Sequence, residues 1–110
     1  MICDRYEVVV IPFPFVEIPV LKRRPSVVLS GRAFNDVNCA SLVAMITSSK
    51  GPAWPSDIIL NDLDSAGLHI ACYVRWRLTT IPNNFIVRRL GRLGALDRLC
   101  CERELANMIS

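Results

Sequence analysis

From Cys72 to Leu78 the side chains alternate without a break: Cys72, Val74, Trp76 and Leu78 fall on one face, and Tyr73, Arg75 and Arg77 fall on the other. That period of two belongs to a strand half-buried against a core, and it sets two arginines on one outer surface. Tyr6 to Ile11 is rich in β-branched residues and closes at Pro12, the pattern of a mostly buried strand. Ser26 to Ser30 and Ser41 to Ile46 read as further strands, Asp57 to Leu60 as a short one, and Phe85 to Leu90 as another after the Pro82-Asn83-Asn84 turn. Between them lie a basic connection from Pro14 to Arg24, a polar, turn-like stretch from Gly31 to Asn38, and an acidic turn from Asn61 to Ser65 closed by Gly67.

Only Ala95 to Ile109 has helical character. Its spacing predicts that Leu96, Leu99, Cys100, Ala106 and Ile109 face inward, with Gly94 as N-cap and Asp97 in the first turn, where a carboxylate complements the helix dipole. Short strands joined by turns, with one terminal helix, predict a mainly β (α+β) chain forming a single domain over residues 1–110. Its expected form is a small, strongly curved antiparallel sheet or barrel, not a βαβ repeat.

Composition narrows the function classes. With 52% hydrophobic residues in 110, the chain can fill a core and still supply a subunit interface. No apolar run approaches the roughly 18 residues of a membrane span, and Met1 to Arg5 lacks the pattern of a secretory leader, so the expected location is the cytoplasm, with no membrane partner. Five cysteines without CxxC or Cys/His spacing point to reduced thiols and away from zinc. Adjacent Cys100 and Cys101 bridge only through a strained ring and read as helix-packing residues. The net charge of +3 comes from eleven arginines and two lysines set against the acidic residues, with clusters at Lys22-Arg23-Arg24, Arg75/Arg77 and Arg88-Arg89/Arg92. A guanidinium matches phosphate oxygens with a planar fork of donors, so a polyanionic partner is one reading, and simple solubilisation of an apolar protein is the other.

Two polar stretches adjoin apolar strands: Lys22-Arg23-Arg24-Pro25 enters the second, and Thr47-Ser48-Ser49-Lys50 leaves the third. If these strands pair as a hairpin, Arg24 and Thr47 are neighbours. Read by themselves, Arg24 is a strand-entry charge and Thr47-Ser48 a strand-end turn. Together with Pro12-Phe13-Pro14-Phe15, with Ile46 before Thr47, and with Val74-Arg75 followed by Leu78-Thr79-Thr80-Ile81, these strings resemble the PemK/MazF toxin family over nearly the whole chain.

The resemblance implies an SH3-like antiparallel β-barrel with a C-terminal α-helix, acting as a homodimer without metal or cofactor. The implied activity is sequence-selective cleavage of single-stranded RNA by the neighbouring 2′-hydroxyl, leaving a cyclic phosphate and a 5′-hydroxyl. A cognate antitoxin would lay a disordered acidic segment over the basic cleft, and the toxin–antitoxin complex would bind DNA. The resemblance puts the catalytic pair on Arg24 and Thr47, with RNA contacts at Lys22, Arg23, Pro25, Ser48, Lys50, Arg75 and Arg77. A fixed guanidinium suits the charge that builds on a pentacoordinate phosphorus. It is a poor base, so the 2′-hydroxyl proton needs another acceptor, for which Glu17 is the candidate, its other reading being a solvated loop carboxylate.

The chain departs from the pattern at Arg77, where some relatives carry an acidic residue, which removes one proposed acid/base partner. Cys3-Asp4 also stands where the family usually has Gly-Asp. His69 reads as incidental and Trp76 as core, while Trp54 is open between a base-stacking role and none. Two competing classes are a non-enzymatic inhibitor on the same barrel, binding a protein such as a gyrase through its dimer face and C-terminal helix, and a module that binds RNA or peptide without cutting.

Overall fold

Strands β1 (Glu7–Phe13) and β2 (Lys22–Val28) zip together antiparallel from Val8 against Val27 to Phe13 against Lys22, and the other strands build outward from this pair. The computed structural model describes residues 1–13 and 22–110. Strand β3 (Ala40–Ser48) pairs with β2, the long β5 (Cys72–Pro82) pairs with β3, and the two-residue β4 (Ile58–Ile59) lies on the far edge of β5. Strand β6 (Arg88–Arg92) joins the free edge of β1, giving one antiparallel sheet in the order β4-β5-β3-β2-β1-β6. Helix α1 (Arg32–Asn38) links β2 to β3, the single turn α2 (Leu63–Ala66) links β4 to β5, and α3 (Ala95–Ile109) ends the chain.

The sheet is curled into a half-barrel. Register shifts opposite Val8/Val9 and Ala44/Met45 place extra residues on β6 (Leu90) and β5 (Trp76 and Arg77) and bend those strands, as bulges do. The segment around α2 then meets β6 backbone to backbone. A Cβ on Gly91 would stand 2.2 Å from the Ser65 carbonyl oxygen, and one on Gly67, whose φ is +73°, would stand 2.1 Å from that of Leu90. Only glycine permits both contacts. The larger core packs inside the curl and gathers Val8, Val27, Ala44, Ile46, Val74 and Trp76 with Leu60, Leu68, Leu93 and Cys101. A smaller cluster on the opposite face holds Cys3, Val9, Ile11, Val28, Val43, Ile81 and Ile86. All five cysteines are unbridged. Among the described residues no helix is long and apolar enough to cross a membrane.

Several expectations change. The Lys22 to Pro25 stretch is part of β2 rather than a loop before it, because β1 runs on through Phe13 and gives those residues a partner strand. Residues 32–38 are helical instead of turn-like. The only buried side chain of α1 is Asn35, whose amide donates to the Cys3 carbonyl at 2.9 Å and the Ser30 carbonyl at 3.2 Å, so polar tertiary contacts, not an apolar stripe, hold the helix. Phe85 belongs to a 3-10 turn (Asn83–Phe85), and β6 begins only at Arg88.

Helix α3 has the expected bounds but a different rotation. Leu96, Leu99 and Ile109 are exposed, as is Ala106, Cys100 is half-buried, and the buried positions are Asp97 and Cys101. The cause is the Asp97 carboxylate. It accepts the backbone N–H of Asn61 at 3.0 and 3.1 Å, that of Asp62 at 2.9 Å and the Asn61 amide at 3.2 Å. Turning the apolar stripe inward would take Asp97 away from these donors and leave them unpaired.

Asp97→Ala is expected to destabilise the fold by about 2–4 kcal/mol by orphaning buried donors. The loss is read as a lower urea midpoint, and Asp97→Asn, which keeps one acceptor oxygen, should lose less.

Candidate functional site

The ladder between β2 and β3 pairs Val28 with Val43, Val27 with Ala44 and Ser26 with Met45, and it stops at Pro25, whose nitrogen carries no proton. Beyond that point β2 stays paired with β1, and β3 with β5. Extended by two residues, the same register sets Arg24 across from Thr47, and Thr47 in turn pairs with Tyr73. Residues opposite one another share a face. Arg24, Thr47 and Tyr73 therefore form one cross-strand row, and Ser26, Met45 and Arg75 form the next. Arg24 is exposed, and Thr47 and Tyr73 are half-buried.

The alternation along β5 is as expected: Cys72, Val74 and Trp76 are buried, while Tyr73, Arg75 and Arg77 take the outer face. Arg75 nevertheless has a protein partner. Its Nε donates to Asp57 Oδ1 at 3.2 Å, and its Nη2 donates to Asp57 Oδ2 at 2.8 Å and to the Pro52 carbonyl at 3.0 Å. The side chains of Arg75 and Asp57 are 17% and 2% exposed, so this pair is largely shielded from water. Asp57 also receives the Trp54 N–H at 2.8 Å, and the Arg75 guanidinium lies 5.0 Å from the centre of the Trp54 ring. Burial works against the charge on Asp57, but the bonds from Arg75 and Trp54 outweigh it and hold its pKa below the usual carboxylate value. The same bonding raises the pKa of Arg75.

An open cleft of about 740 Å³ lies on the other side of β2, lined by Val10, Arg23, Arg24 and Pro25, by residues 67–70, and by Arg88, Arg89 and Leu90. His69, which the sequence offers as incidental, is therefore at the edge of the Arg23-Arg24 site. The basic clusters differ in how far they are neutralised. Arg89 binds Glu7 at 2.9 Å and the Ile2 carbonyl at 2.7 Å, and Arg92 binds Asp4 at 3.1 Å. Arg23, Arg24, Arg77 and Arg88 are exposed and make no ion pair among the described residues.

Ser48 is half-buried at the end of β3, and Lys50 is exposed just beyond it. Lys22 opens β2. Glu17 lies outside the described residues. Asp57 and Tyr73 are the site residues that sequence reading passes over. Tyr73 was legible from the alternation it shares with Arg75, whereas Asp57 shows its role only once β4 is docked on β5. Among the described residues no group of three or more His, Cys, Asp or Glu side chains gathers as a metal site.

A curled six-stranded antiparallel sheet with a C-terminal helix and arginines on its outer face defines a small half-barrel of the kind found in MazF-type proteins. Residues 4–109 match the family of PemK-like, MazF-like toxins of type II toxin–antitoxin systems, and the chain belongs to that family. Its fold is similar to that of MazF from Deinococcus radiodurans, with a TM-score of 0.78 and 18% identity over 99% of this chain and 97% of that one. It is similar also to a MazE–MazF structure from the same organism, with a TM-score of 0.77 and 17% identity over 100% and 97% of the two chains. A mycobacterial endoribonuclease solved with its cognate antitoxin gives a TM-score of 0.75 and 13% identity over 98% and 93%. No curated protein sequence matches the chain.

The depressed pKa of Asp57 fixes a pH dependence. The ion pair contributes stability in full above the unfolded carboxylate value near 3.8, and that contribution is lost as pH falls through the lower folded value. Asp57→Asn is expected to cost about 2 kcal/mol at pH 7 by leaving Arg75 unpaired. The gap between wild type and variant should narrow when urea midpoints are measured below pH 3.

Proposed function

We propose that this chain is the toxin endoribonuclease of a type II pair, cutting single-stranded RNA with Arg24 and Thr47. The observation that carries the reading is the register that sets Arg24 opposite Thr47 where the β2–β3 ladder opens at Pro25. Exposed Arg23 and Arg77 lie nearby on the same strands as the row, and family membership favours the same reading.

The reaction begins as the 2′-oxygen attacks the adjacent phosphorus. The bond from phosphorus to the 5′-oxygen then breaks, leaving a cyclic phosphate and a 5′-hydroxyl. The Arg24 guanidinium stabilises the negative charge gathering on the phosphorane oxygens and hydrogen-bonds the leaving 5′-oxygen, which takes its proton from the protonated base or from water. The Thr47 hydroxyl holds the attacking hydroxyl or a phosphate oxygen in line. Positive charge comes from arginine, so the scheme calls for no metal. The 2′-hydroxyl proton passes to a base, for which Glu17 remains the sequence candidate, with His69 in the adjoining cleft as a second.

The partners follow from the surface. The arginines that make no ion pair among the described residues suit either the phosphates of RNA or the carboxylates of a disordered antitoxin segment, which would compete for one face. The apolar stripe of Leu96, Leu99 and Ile109 left open on α3 favours a homodimer. A toxin that cuts mRNA acts in the cytoplasm. That same stripe also favours a second reading, a non-enzymatic inhibitor that grips a protein target through α3.

Cleavage of a long single-stranded RNA in EDTA, with the new ends mapped, tests the proposal. Wild type should give discrete cuts with cyclic phosphate and 5′-hydroxyl ends. Arg24→Ala should lose about 100-fold or more in rate while still binding RNA, and Thr47→Ala should fall in the same direction. Intact RNA beside a folded wild-type protein would favour the inhibitor.

A further inference from the structure

We propose that Trp54 is a base-stacking platform of the RNA site and that Arg75 and Asp57 are the positioning residues that hold it. The inference rests on the ribonuclease reading above and names a contact with the base rather than the phosphate. Trp54 is 43% exposed, whereas the other tryptophan, Trp76, is 8% exposed. Its backbone is pinned twice: its N–H donates to Asp57 Oδ2 at 2.8 Å, and its carbonyl accepts the Asp57 N–H at 3.0 Å. Pro52 and Pro55 restrict the chain on either side. The ring stands 5.0 Å from the Arg75 guanidinium, whose Nε and Nη2 protons go to Asp57 and the Pro52 carbonyl.

An indole held in this way has little freedom to lose when a ligand stacks on it, which is the condition under which aromatic contacts give the most affinity. Its location fits the bound strand. Arg75 is two residues from Tyr73 on the same face of β5, and Tyr73 pairs with Thr47, so the platform adjoins the reacting row on the side away from Arg24. A strand whose scissile phosphate lies at Arg24 and Thr47 would place a neighbouring base over Trp54. The Arg75 charge is already satisfied by Asp57, which leaves stacking as this corner's contribution. Every base has a π-face but purines offer the larger one, so the platform sets a purine preference at one position beside the cut.

The test compares wild type, Trp54→Ala and Trp54→Phe in two measurements: mapped cleavage of a long single-stranded RNA, and tryptophan fluorescence titrated with a short mixed-sequence single-stranded DNA, which lacks the 2′-hydroxyl and cannot be cut. The expected result is a kcat/KM lower by roughly ten-fold to a hundred-fold in Trp54→Ala, with the purine preference lost at one mapped position and largely kept in Trp54→Phe. DNA should quench wild-type emission but leave that of Trp54→Phe, whose remaining tryptophan is buried, unchanged. An alanine variant that cuts the same sites with the same efficiency would overturn the platform while leaving the ribonuclease standing. If wild type cuts no RNA, the ribonuclease reading falls instead, and the titration still decides: quenching that depends on Trp54 upholds the platform, and its absence removes it.

Discussion

The Asp97 carboxylate, fully buried and with no cation beside it among the described residues, anchors the C-terminal helix to the backbone of Asn61 and Asp62. Much of the molecule depends on that grip. It sets the rotation of α3, seals the open side of the curled sheet with Cys101 and Leu105, and fixes the segment from which β4 runs back along β5. Asp57 stands at the start of that segment. Asp57, on the other side of β4, in turn binds Arg75 and the Trp54 backbone. Buried carboxylates are tolerated only where donors converge on them, and here those donors belong to the one connection that also shapes the outer face.

The electrostatics of the surface separate in the same way. Asp4 takes Arg32 and Arg92, Glu7 takes Arg89 and Asp57 takes Arg75, tying the N-terminal segment to α1 and β6 and the loop after β3 to β5. Arg23, Arg24, Arg77 and Arg88 are among the exposed arginines that make no ion pair with the described residues, and they are able to meet an external anion. A modest net charge thus conceals a strongly basic face, because the acidic residues compensate some arginines by contact rather than by number.

Family membership and fold together make the chain a MazF-like toxin, and the row of Arg24, Thr47 and Tyr73 gives the proposed chemistry a physical place. Pro25 has a part in that arrangement. By denying β3 a hydrogen bond it ends the β2–β3 ladder where the row begins.

Local pattern determined β1, β3 and the start of β5, because alternation over Cys72–Leu78 and the β-branched runs of β1 and β3 report burial directly, and it determined the bounds of α3, whereas the extents of β2 and β6 depended on their partner strands. It also brought Arg24 near Thr47, since pairing of successive strands follows from short connections. It did not reveal α1, which lacks an apolar stripe and is held by Asn35. Nor did it reveal which side of α3 faces inward, because helical spacing marks the apolar stripe but not the acceptor role of Asp97. The partner of Arg75 was likewise hidden: Asp57 lies 18 residues away in the chain, and no periodicity links a loop carboxylate to a strand arginine. Those choices belong to the tertiary structure, where a buried charge must find its donors before apolar area decides the rest.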